Sequence, residues 1–94
     1  MIAVTYYNIK FSKHPVEKWV VVTGDIRNET DKTCTTAVFR VKIYVENECL
    51  GSGILKLAGF RARSTKPFQI MVEGVHHKMI SKINRCEILF ETAY

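Results

Sequence analysis

Three groups of residues have the types to do chemistry. Cys49 stands beside Gly51 and Gly53 in residues 44–55, YVENECLGSGIL; His76 and His77 are adjacent, with Cys86 downstream; and Asp25, Glu29, Asp31, Glu46 and Glu48 supply carboxylates. A phosphate cradle needs Gly-x-x-x-x-Gly-Lys-Ser/Thr opening a helix, because loop amides and the helix N-terminus hold the anion together. Here the two glycines are two apart, with no Lys-Ser pair behind them. That spacing predicts a hairpin whose small residues let a strand twist or bulge.

Adjacent histidines on a helix splay by about 100°, unlike an i, i+4 pair that can chelate one metal, so His76 and His77 read as polar positions on a short helix. A Cys86 thiolate with a histidine base is a conceivable nucleophile. Cys86 nevertheless shares its alternation with Ile88 and Phe90, which reads as a small buried hydrophobe. The carboxylates cluster at turns, where nothing splits their pKa values as acid-base catalysis requires. The expectation is a protein that is not an enzyme, with no cofactor, no metal and no small-molecule substrate.

Charge points elsewhere. The net charge is +5, and residues 49–72 contain no acid while carrying Lys56, Arg61, Arg63 and Lys66. A second acid-free run, residues 74–86, carries Lys78, Lys82 and Arg85. Arg40, Lys42 and Tyr44 fall on the wet side of one strand, an aromatic and basic combination suited to stacking and cation-π contact. The candidate binding surface is therefore Arg40, Lys42, Tyr44, Lys56, Arg61, Arg63 and Lys66. It suits an acidic protein, nucleic acid or another polyanion; the alternative is a solvated face that only keeps the domain soluble. Trp19 opens a strand out of phase with Val20 and Val22, as an edge aromatic or as part of a binding patch.

The elements that must position these residues follow from periodicity. With 94 residues, 47% hydrophobic and 24% charged, the chain reads as one globular domain over residues 1–94. No apolar run approaches the ~18 residues that span a bilayer, so no membrane insertion is expected. The opening MIAVTYYNIKFSK lacks a basic region followed by a long apolar stretch, so it is not expected to be a signal peptide. A chain cut from an exported or surface parent would read the same, which leaves the compartment open. Three cysteines are an odd number. Cys34 and Cys49 flank one extended strand and lie too far apart to bridge if it is straight, Cys86 could pair with either, and three thiols are expected.

Period-two alternation recurs along the chain. Tyr7, Ile9 and Phe11 oppose Tyr6, Asn8 and Lys10; Val20, Val22 and Ile26 share a face, with Gly24 marking a bulge or close packing. Phe39, Val41, Ile43 and Val45 oppose Val38, Arg40, Lys42, Tyr44 and Glu46. A turn at Glu46, Asn47 and Glu48 follows, with Asn47 suited to positive φ. Leu55 and Leu57 alternate with Ile54 and Lys56, residues 59–66 form a basic loop, and Phe68, Ile70 and Val72 face inward. Val75, Met79 and Ile83, with Ile80, fit a short amphipathic helix before the last strand. The predicted fold is all-β: an immunoglobulin-like antiparallel Greek-key sandwich of six or seven strands with one short helix.

The order GDIRNETDK, FRVKIYVENECLGSG, LAGFRARSTKPFQI resembles the FxLYD-type domains, small immunoglobulin-like sandwiches, over residues 17 to 92. Gly24 to Asn28, Phe39 to Tyr44, and Gly59 with Pro67 and Phe68 carry the resemblance. Val45 stands where that pattern has Asp, and the hairpin tip lacks its glycine. The resemblance implies a domain often found in exported or surface proteins, without a catalytic residue set. Contact with another protein, or self-association, is the function expected of it.

Overall fold

The computed structural model describes residues 2–94. Its strands are β1 (Val4–Lys13), β2 (Trp19–Asn28), β3 (Cys34–Val45), β4 (Glu48–Phe60), β5 (Thr65–His76) and β6 (Arg85–Ala93). A six-residue 3-10 helix, His77–Lys82, precedes β6. The strands form two antiparallel three-stranded sheets, ordered β1-β2-β5 and β4-β3-β6. The all-β class, the two antiparallel sheets and the short helix before the last strand agree with the expectation from sequence.

Alternation explains why the two sheets cover one another. Val20, Val22 and Ile26 of β2 and Phe39, Val41 and Ile43 of β3 have no exposed surface, and the side chains between them point to the other faces. Cys34, Ala37, Leu55, Leu57, Phe60, Phe68, Val72, Val75 and Ile88 complete the core. Phe39 lies at its centre, edge to face with both Phe60 and Phe90 at 6.0 Å between ring centroids, an arrangement favoured by the ring quadrupoles.

Phe60 was expected in a loop. Instead β4 runs on to it, because Gly59 takes φ of 62° and lets the next side chain turn into the core. Only residues 61–64 separate β4 from β5. Glu46 joins Asn47 at positive φ, 49° and 68°, giving the two-residue turn whose twist matches the flanking strands.

The alternation expected for β1 breaks at Asn8. Asn8, at φ 56°, and Ile9 together oppose the single residue Gly24 between the pairs Tyr7 with Asp25 and Lys10 with Thr23, one residue too many on β1. This bulge reverses the phase. Ile9 and Phe11 pack on the core as expected, but Tyr7 turns to the outer face, where its hydroxyl bonds Thr65 Oγ1 at 3.2 Å. The Asn8 amide donates to Asp25 Oδ2 at 3.1 Å, which holds the bulge.

The helix also differs from expectation. Val75 and His76 belong to β5, and His77–Lys82 make one short 3-10 segment with Met79 and Ile80 half-buried on the core. It is too short to show a helical stripe.

Candidate functional site

The glycines of residues 44–55 are part of β4. A Cβ on Gly51 would lie 2.7 Å from the Glu73 carbonyl oxygen and 2.9 Å from Val75 Cγ2, and one on Gly53 would lie 3.0 Å from Ile70 Cδ1. They let the β4 backbone close on β5 across the two sheets. Cys49 is exposed, Cys34 buried and Cys86 half-buried, and all three are free thiols. Burial, helped by the Glu87 carboxylate, pushes the Cys86 thiol up to about 11, so at neutral pH it holds its proton and is a poor nucleophile.

His76 and His77 do not sit on one helix, and their rings lie together at 4.3 Å between centroids rather than splaying. His76 Nδ1 accepts from the Lys78 amide, capping the 3-10 segment. Partial desolvation, with His76, Lys13 and Lys78 nearby, lowers the His77 pKa. Among the described residues, no group of three or more His, Cys, Asp or Glu could hold one metal ion. A shallow, open depression of about 680 Å³ lies on the β1-β2-β5 sheet, lined in part by Asn8, Lys10, Asp25 and Gln69. It contains neither histidine nor cysteine.

The structure divides the seven predicted surface residues between two places. Arg40, Lys42 and Tyr44 stand on the outer face of the β4-β3-β6 sheet, joined by Lys56, which pairs with Val38 in register. Arg61 and Arg63 occupy the loop after β4, and Lys66 is the second residue of β5.

Acids that are distant in sequence reach several of these cations. Arg40 Nε meets Glu91 Oε1 at 2.8 Å, and the Tyr44 hydroxyl donates to Glu87 Oε1 at 3.1 Å, both acids coming from β6. Arg85 stacks on the Tyr44 ring at 4.0 Å, so the cation over this aromatic comes from its own chain. Arg63 Nε meets Asp31 Oδ1 at 2.9 Å, and Lys66 Nζ donates to the Ala58 carbonyl. Lys42, Lys56 and Arg61 make no side-chain hydrogen bond or ion pair among the described residues.

The second acid-free run is not continuous with the first. The 3-10 segment is tied to the start of β2 through the His77 amide and the Lys18 carbonyl, whereas the Arg61 loop is tied beyond its other end through Arg63 and Thr30. The ten residues of β2 lie between them, a span of about 33 Å. Trp19 is half-buried, with Lys18 Nζ 4.8 Å from its ring centroid.

Periodicity alone did not reveal the β6 edge. The sheet order leaves one side of β6 unpaired. On the opposite flank β4 and β5 close on one another, and of their inner-face residues, Leu55, Leu57, Phe68 and Val72 are buried and Ile70 is half-buried. On the β1 and β6 flank Ile88 is buried, but the inner-face residues Ile9, Phe11, Cys86 and Phe90 around it are only half-buried. Leu89 and Ile54 flank Arg40 on the outer face, 40% and 43% exposed.

Compared with known protein families, curated proteins and solved structures, the chain matches none. No helix among the described residues is long and apolar enough to cross a membrane.

Proposed function

We propose that this is an immunoglobulin-like module of the FxLYD type, without enzymatic activity, that works by contact with another polypeptide. The observation that carries the reading is the unpaired edge of β6 beside the half-buried Phe11, Cys86 and Phe90. An unpaired strand presents a row of free amides and carbonyls on which another strand can add. Apolar side chains bordering that edge supply the area that such an addition would cover.

The order β1-β2-β5 and β4-β3-β6 supports the immunoglobulin-like assignment, since strands two and five share one sheet while three and six share the other. In that architecture a further strand lies beside the one equivalent to β6, where this domain has an open edge. The residues carrying the FxLYD resemblance also do structural work. Gly24 would bring a Cβ within 2.6 Å of Ile9 Cδ1, Asn28 is fully buried, and Gly59 has positive φ.

The test is amide chemical-shift mapping with a panel of ten-residue peptides that alternate apolar and polar residues. Shifts confined to β6 and β1 are expected. If no peptide moves β6, the reading fails. Binding of heparin at Lys56 and Arg61 that collapses between low and moderate salt would replace it with a polyanion-binding function.

A further inference from the structure

We infer that the polypeptide seated on β6 is a second copy of this chain, paired antiparallel about Ile88 so that two β4-β3-β6 sheets join into one. The inference rests on the contact function proposed above and names its partner.

The edges of the two sheets are not equally open. β4 and β5 lie against one another, and β5 carries Pro67 and a bulge at Gly74, φ 91°. β1 is interrupted by its bulge at Asn8 and carries Lys10 and Lys13. Bulges, prolines and lysines are the features that keep edges from pairing. β6 has none of the three from Arg85 to Phe90, where it stays in unbroken register with β3 from Tyr44 to Phe39; its one bulge falls at Glu91, whose side chain still reaches the outer-face Arg40 at 2.8 Å.

The sequence of β6 is complementary to itself. Antiparallel pairing about Ile88 sets Arg85 opposite Glu91 of the second copy, and Glu91 opposite its Arg85. Cys86 then faces Phe90, and Ile88 faces Ile88. Arg85, Glu87, Leu89 and Glu91 share the outer face, whereas Cys86, Ile88 and Phe90 share the inner one. Each residue therefore meets one from the same face, as cross-strand pairs require.

Pairing about Glu87 or Leu89 instead sets Glu87 against Glu87 or against Glu91, and like charges directly opposite are destabilising. Pairing about Cys86 overlaps only residues 85–87 of the strand. The Ile88 register alone joins Arg85 to Glu91 at both ends. Arg85 has no ion-pair partner within its own chain among the described residues, and Glu91 there meets only Arg40. In the joined sheet Glu91 lies between two arginines.

The test is sedimentation equilibrium on the full chain. Wild type is expected to dimerise, and R85E and E91R each to raise the dissociation constant about tenfold or more by replacing two attractions with two repulsions. Mixed one to one, R85E and E91R restore both pairs and are expected to form a heterodimer as tight as wild type. R40Q, which removes only the intrachain partner of Glu91, is expected to leave the dimer intact. Monomeric wild type at all concentrations, or no recovery on mixing, overturns the inference. If peptides nevertheless shift β6, the contact function stands and only its partner is wrong. If neither occurs, both fall.

Discussion

The backbone of Gly51 lies so close to the Glu73 carbonyl that a Cβ would reach its oxygen at 2.7 Å. This is the point where the two sheets close on one flank. Replacement by alanine pushes backbone against backbone, which no rotamer change relieves. Gly51→Ala is expected to lower unfolding free energy by about 1 to 3 kcal/mol, measured by urea denaturation. Gly53→Ala meets the movable end of Ile70 at 3.0 Å and should cost less.

Asn28 is the one buried polar residue among the described residues, and its amide serves both sides of a turn. Nδ2 donates to the carbonyls of Lys32 and Phe60, while Oδ1 accepts from the Thr30 amide and hydroxyl. Asn28→Ala leaves these groups without partners. A loss of about 2 to 3 kcal/mol is expected in thermal or urea unfolding, with faster amide exchange at Thr30.

Gly59 faces open space, so side-chain size does not limit it; its φ of 62° does. Gly59→Ala should destabilise by about 1 to 2 kcal/mol, the cost of a left-handed conformation for an L-residue. Gly59→Asn should recover part of that loss.

The three thiols are expected to react in the order of their exposure. Iodoacetamide at pH 8, followed by mass spectrometry, should label Cys49 first, Cys86 slowly and Cys34 last. The Cys86 pKa lies above its unfolded value of about 9, at about 11. Unfolding therefore releases a proton between those values. Its contribution to stability is intact below pH 9 and declines as pH rises toward 11. Cys86→Ala should flatten that part of the stability profile.

Much of this domain was legible in its sequence because a half-buried strand needs apolar residues at every second position. Val20, Val22 and Ile26, and Phe39, Val41 and Ile43, identify both central strands and their buried faces. The Glu46 and Asn47 turn and the final strand followed from the same pattern. Where the strand alternation failed, a positive φ was responsible each time. Positive φ at Asn8 moved Tyr7 to the outer face, and positive φ at Gly59 brought Phe60 into the core.

The candidate surface was less legible, since a list of cations does not say which anions fold back onto them. Glu87 and Glu91 reach Tyr44 and Arg40 only because β6 pairs with β3, more than forty positions earlier in the chain. Sequence by itself determined the strands and which of their faces are oily, a matter of local alternation between water and apolar contact. Tertiary structure decided which strands became neighbours, which charges were neutralised and which edge stayed open, because hydrogen bonds between strands do not depend on their distance along the chain.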